Sequence, residues 1–260
     1  LILVPTQFRG RLWLIGGTRE SVDLAKAIAQ AQLPCIISVT TESARSLYPA
    51  ASTLSVYVGR LNSGQIQQFL QQQQIVAVLD ASHPYAVEIS QNAIAVAFER
   101  KIPYLRYERP MLKQGISLDF ETLLAENELQ GQRVLLTIGY TPLHMFQSWH
   151  DRATLFARIL PSAIALEAAF KAGFTPNNLI CLRPPISADL EKALWRQWQI
   201  SLVVTKASGT AGGEDIKRSV AAELGIPLIA INRPIIEYPQ QTSDLSIALE
   251  FCCHQLALSS

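Results

Sequence analysis

The chain has 260 residues, 49% hydrophobic and 17% charged, with 22 lysines and arginines against 21 aspartates and glutamates, a formal charge of +1. That length fits one large α/β domain or two of about 130 residues, with apolar material for a packed core. The near-zero charge excludes an overall basic field for nucleic acid and an acidic tail, so anion recognition falls to local patches. Cys35, Cys181, Cys252 and Cys253 form neither a CxxC pair nor a disulfide framework, which points to a reduced, cytoplasmic compartment. His83, His144, His150 and His254 lack metal-ligand spacing and an accompanying carboxylate cluster, so no metal is expected. No apolar run approaches the roughly 20 residues that span a bilayer, and Leu1 to Val4 is too short for a signal segment. Leu1 rather than Met stands first, so a start further upstream is expected.

Arg11 to Gly17 reads as a buried strand ending in glycine, and Ser21 to Leu33 repeats apolar residues with helical spacing. Pro34 ends that helix. Strands follow at Cys35 to Thr41 and Thr53 to Val58, then a helix from Gly64 to Gln74 with a solvated glutamine face, and a strand at Ile75 to Leu79. A helix from Glu88 to Arg100 and a strand at Tyr104 to Tyr107 bring the count to about five βα units. Pro110 and the polar stretch to Gly131 mark a boundary. Strands then recur at 134–138, 155–160, 179–182, 202–205 and 228–231, with helices at 162–172, 189–197 and 213–224 between them. A last helix, 243–258, is apolar on one face.

Two stretches echo each other. Val78-Leu79, Asp80-Ala81-Ser82, Ile102-Pro103 and Arg109-Pro110 match Val203-Val204, Lys206-Ala207-Ser208, Ile226-Pro227 and Arg233-Pro234 in order. The chain thus reads as two Rossmann-like doubly wound parallel-sheet domains, 1–112 and 113–260, facing a central cleft, with the last helix packing on either. The ordinary grammar of α/β folds is the alternative source of the echo.

Gly16-Gly17-Thr18-Arg19-Glu20 lies at a strand-to-helix turn, where backbone N–H groups and the helix dipole favour phosphate, though the full G-x-G-x-x-G is absent. A purely structural glycine turn is the other reading. The end of the second strand offers Thr40, Thr41, Ser43 and Arg45 for the 2′-phosphate of NADP, while Glu42 suits a 2′-hydroxyl. The bland alternative makes Arg45 a solvated helix residue. Asp80 to Ala86 carries His83 beside Pro84, the best-placed polar ring of the chain, unless it is only a satisfied structural histidine. Lys206 to Gly213, with three glycines, two hydroxyls and a lysine before a helix, suits an anion nest or a flexible loop. Arg106, Arg109, Arg158, Arg183 and Arg233 lie near strand ends and add positive charge, or serve as surface ion-pair partners.

These residues together resemble the precorrin-6A reductase family. The match is carried by Gly16-Gly17-Thr18 with Glu20, Asp80-Ala81-Ser82-His83-Pro84-Tyr85-Ala86 with Ile89 to Ala93, Arg106 through Glu108-Arg109-Pro110, and Thr205-Lys206 with Ser208-Gly209. It runs from Arg11 to Pro234. Ala207 and Arg183-Pro184-Pro185 depart from the family pattern. The resemblance implies reduction of a macrocycle double bond in precorrin-6A, or its cobalt form, during cobalamin synthesis, with NADPH in the N-terminal half. Gly16, Gly17, Thr18, Glu20, Thr40, Thr41, Ser43, Arg45, Gly59, Ala81 and Ser82 would hold the cofactor. Gly139, Tyr140, Arg106, Arg109, Lys206, Ser208 and Gly209 would hold the tetrapyrrole, and the proton would come from or through His83 and Tyr85, or equally well from solvent or a substrate carboxylate. A reductase of a smaller substrate and a nonenzymatic NADP sensor are the competing readings. The sequence leaves the oligomeric state open, since the last helix could pack on a second subunit, and a monomer is the slightly favoured expectation.

Overall fold

The computed structural model describes residues 8–112 and 115–259. The elements of the first stretch are β1 (Arg11–Ile15), α1 (Arg19–Gln30), β2 (Cys35–Val39), the single turn α2 (Glu42–Arg45), β3 (Leu54–Val58), α3 (Ser63–Gln72), β4 (Ile75–Asp80), α4 (Val87–Glu99) and β5 (Tyr104–Tyr107). There follow β6 (Ile116–Leu118), α5 (Phe120–Ala125), β7 (Arg133–Thr137), a 3₁₀ segment (Thr141–Trp149), β8 (Thr154–Ile159), α6 (Ala163–Lys171), β9 (Leu179–Cys181), α7 (Ala188–Gln197), β10 (Leu202–Lys206), α8 (Glu214–Leu224) and β11 (Leu228–Ile231). The chain closes with β12 (Gln241–Thr242) and α9 (Leu245–Leu258). Among the described residues no helix is long and apolar enough to cross a membrane.

The elements fall into two compact units, one running through Pro110 and resuming at Pro234, the other spanning Met111–Arg233. Residues 234–259, expected in a second domain over 113–260, pack with the first unit. The reason lies in α9, whose Ala248, Cys252 and Leu256 are fully buried against β-strand residues Leu12, Leu14 and Leu79.

In the first unit six parallel strands lie in the order β12-β5-β4-β1-β2-β3, so the direction of winding reverses between β1 and β4. The strands read as unbroken apolar runs because helices cover both faces. Leu12, Leu14, Leu79 and Leu105 face α1 and α9, while Trp13, Ile15 and Val78 face α3 and α4.

The second unit repeats the order as β6-β11-β10-β7-β8-β9, again all parallel, with its reversal between β7 and β10. Leu135, Phe156 and Val203 pack there on Trp195, Val220 and Ala221 of α7 and α8. β6 and α5 occupy the polar stretch read as a boundary. Their pattern is too short to stand out, and β6 forms only by pairing with β11 at Ile229↔Ile116.

Helix ends repeat one device. Gln32, Gln74, Lys101 and Gln199 follow α1, α3, α4 and α7 in the left-handed region, with φ between 50° and 57°. Three of these are closed by a bond from the next residue back into the helix, Leu33 N to Ile28 O, Ile102 N to Ala97 O and Ile200 N to Trp195 O, at 2.8–3.1 Å. Glycine is the residue that adopts this conformation without a Cβ penalty. Gln199→Gly and Lys101→Gly, both on exposed side chains, are therefore expected to stabilise the protein by about 1 kcal/mol each. Urea unfolding should show a higher midpoint at unchanged slope.

Candidate functional site

In a sheet of this order ligands bind beyond the carboxyl ends of the strands that flank the reversal. In the first unit those ends are Gly16-Gly17-Thr18 after β1 and Ala81-Ser82 after β4, joined by Thr18 Oγ1 donating to Ala81 O at 2.7 Å. Gly17 stands at φ 103° with open space where a Cβ would be, and a Cβ at Gly16 would collide with the Tyr48 hydroxyl and Ile37. Backbone can thus approach a ligand closely above the turn, which fits a dinucleotide at this place.

The turn's own N–H groups are partly committed. Gly17 N donates to Tyr48 Oη at 2.7 Å, Thr18 N to Ser21 Oγ at 3.0 Å, and Ser21 N to Thr18 Oγ1 at 3.1 Å. Ser21, which with Val22 stands where a third glycine would fall, is fully buried and within 2.7 Å of the Tyr48 hydroxyl. Burial holds the Tyr48 phenol above its ordinary range. Glu20 is bridged by Arg109 at 3.2 Å, so these two residues meet each other within the first unit.

Asp80 organises the loop that follows β4. Its carboxylate accepts from Ser82 N (2.9 Å), Ser90 Oγ (2.6 Å), Tyr104 Oη (2.5 Å) and Arg106 Nη1 (2.9 Å), and it is wholly buried. Arg106, expected to meet substrate, is only 1% exposed. Its Nη1 also reaches Ser82 Oγ at 3.1 Å, its Nε binds Glu108 at 3.0 Å, and its guanidinium lies 5.2 Å from the Tyr238 ring centre. Burial, and then the Asp80 charge, push the Tyr104 phenol far above its ordinary value. The loop so fixed presents His83, which is exposed, and Tyr85, with ring centres 5.7 Å apart. Tyr85 N donates to His83 Nδ1 at 3.3 Å, so in the neutral imidazole the proton sits on Nε2.

At the neighbouring strand end Thr40, Thr41, Ser43 and Arg45 are all exposed. Thr41 and Ser43 hydroxyls lie 3.1 Å apart, while Arg45 is 3.3 Å from Glu42 and donates to Val56 O at 3.3 Å. Gly59, after β3, sits at the outer side of this edge, its N–H on Val39 O.

The second unit has its own reversal point. Gly139, at φ 78°, ends the segment after β7, and Lys206 ends β10 with its Nζ 4.0 Å from the place of a Gly139 Cβ. Tyr140 precedes the 3₁₀ segment. Burial pushes the Lys206 amine down to about 8. The expected anion nest differs from the reading. Gly209 N donates to Glu214 Oε2 at 2.8 Å, and the amides of Ser208, Gly212 and Gly213 bind carbonyls of the same loop, so the chain satisfies these donors itself. The echo is also displaced by a residue. Asp80 shares the face of Val78, toward α4, whereas Lys206 lies on the opposite face to Val203 and Thr205 by strand alternation.

Residues 11–253 match the family described as precorrin-6x reductase CbiJ/CobK. The chain belongs to this family. It is 46% identical over 252 residues to a cobalt-precorrin-6A reductase of Synechocystis sp., covering 94% of this chain and 97% of that one. It is 32% identical over 235 residues to the cobalt-precorrin-6A reductase of Priestia megaterium, covering 86% and 91%. A solved structure described as CobK precorrin-6A reductase has the same fold, at a TM-score of 0.77 and 23% identity over 95% of this chain and 97% of that one.

In this chain the first unit carries Gly16, Gly17, Thr18, Glu20, Ala81, Ser82, His83, Tyr85, Arg106 and Arg109 around one reversal, and the second unit carries Gly139, Tyr140, Lys206, Ser208 and Gly209 around the other. Sequence reasoning missed Ser21, Tyr48, Tyr104, Tyr238, Glu214 and Lys217 as supports, and read Ser90 only as part of the Ile89 to Ala93 stretch. Only Ser21, three residues after Thr18, carried a readable signal, that of a helix cap. Asp80→Asn removes the buried charge that pairs with Arg106, and is expected to cost about 3 kcal/mol of stability. Denaturant unfolding of the variant measures it.

Proposed function

We propose that this chain is an NADPH-dependent reductase of cobalt-precorrin-6A, with cobalt-free precorrin-6A as the second candidate substrate. The observation that carries the reading is the 46% identity, over nearly the full length of both chains, to a protein of that name. The chemistry that the cofactor supplies when bound is a hydride for one carbon of a conjugated double bond.

The chain's own residues would do the remaining work. The open glycine turn admits the diphosphate, and Thr41, Ser43 and Arg45 suit a 2′-phosphate, which would compete with Glu42 for Arg45. His83 would give a proton, as its imidazolium, to the carbon that must gain one, and be left as the neutral ring whose Nδ1 accepts from the Tyr85 amide. Lys206 offers an ammonium to one of the substrate's carboxylates, with Gly139 leaving its approach open.

The test is loss of NADPH absorbance with cobalt-precorrin-6A and, separately, precorrin-6A, each product checked for a gain of two hydrogens. Turnover of neither substrate sinks the reading. His83→Ala is expected to lower kcat about 100-fold while NADPH affinity holds; a loss of only a few-fold would assign the proton to another donor. Because the Lys206 amine titrates near 8, it is charged below that pH and neutral above it. KM for the tetrapyrrole should therefore rise as pH passes 8, and Lys206→Ala should flatten that rise.

A further inference from the structure

Beneath the Lys206 loop lies a buried charged cluster that the chemistry above does not use. Glu214 and Lys217, from the first turn of α8, are 1% and 4% exposed. Glu214 accepts from Gly209 N at 2.8 Å through Oε2, while Arg218 holds its Oε1 through Nε at 2.8 Å and Nη2 at 2.7 Å. Lys217 Nζ donates to Gly212 O at 3.1 Å. Behind them Arg158 meets Glu191 at 2.6 Å, and Glu191 also accepts from Trp195 Nε1 at 3.0 Å.

Two charged side chains of one helix thus grip the loop at two points three residues apart. Between those points the backbone takes a form only glycine tolerates, with Gly209 at φ 69° and ψ −173°. Gly212 is folded so tightly onto Ser208 that a Cβ would overlap the serine side chain. Burying two such ions for packing alone is a poor source of stability, since apolar side chains of like volume usually serve as well or better. Their directed bonds end on the backbone of the loop that carries Lys206 and Ser208.

We propose that Glu214 and Lys217 are positioning residues for substrate binding, which, acting through Gly209 and Gly212, set the place of Lys206 and Ser208 against a carboxylate of the tetrapyrrole. This rests on the reading of the Lys206 loop as a substrate site. Misplacement of a positioning group by about 1 Å is enough to cost one to two orders of magnitude.

The test compares Glu214→Ala, Glu214→Gln, Lys217→Met and Lys206→Ala in the full chain, with cobalt-precorrin-6A as substrate. Glu214→Ala is expected to raise KM about tenfold, with kcat changed less. Glu214→Gln, which keeps an acceptor for Gly209 N, should stay within about threefold. NADPH affinity should hold in both, and amide exchange should quicken over residues 207–213 while β7 and β10 stay protected. Lys217→Met, which replaces the ion by an apolar chain of similar length, should move KM in the same direction and serves if the alanine variant fails to fold. An unchanged KM in Glu214→Ala and Lys217→Met, beside a raised KM in Lys206→Ala, overturns the positioning role and leaves the substrate site standing. An unchanged KM in Lys206→Ala overturns both.

Discussion

The buried ion pair of Asp80 and Arg106, 2.9 Å apart, is the constraint on which the first unit's loop depends. A carboxylate with no access to water must have its lone pairs met by donors. Asp80 meets that need with a helix serine, a tyrosine and an arginine of the adjacent strand, and the amide of Ser82. Since α4, β5 and the loop's own Ser82 converge on this one carboxylate, the start of the loop is tied to both neighbouring elements. His83 and Tyr85 are exposed or half-exposed on a rigid base.

Each sheet delivers polar groups at its reversal, yet the two solve different problems. The first offers an open glycine turn whose N–H groups are partly spent on Tyr48 and Ser21. The second offers an ammonium, and spends its glycine-loop amide at Gly209 on its own Glu214. A glycine-rich loop that looks like an anion nest thus spends these amides within its own chain, next to the Lys206 amine.

Much of the strand and helix pattern was legible because both sheets are parallel and covered on two faces, which makes each strand an apolar run bounded by glycine or proline. Boundaries shifted by one or two residues where caps decide them, as at Asp244, whose carboxylate starts α9 two residues after the expected point. β6, α5 and β12 were not legible, since three-residue and two-residue strands owe their form to a neighbour. At the site, the glycine turn and the Ser82-His83 loop could be read from their position after strands. The fate of Arg106 could not, because its partner Asp80 lies 26 residues away on the next strand. Nor could Glu214, whose acidic side chain at a helix start reads as an ordinary favourable charge.

The first sheet's last strand, β12, and the helix α9 both come from chain that follows the whole of the second unit. Order of synthesis therefore matters. A nascent chain that has emerged only as far as Arg233 holds a complete second unit, but its first sheet still has a bare edge beside β5 and an uncovered patch of Leu12, Leu14 and Leu79. The unit begun before the second is finished after it, so that face must be kept from other chains until the residues from Pro234 onward arrive.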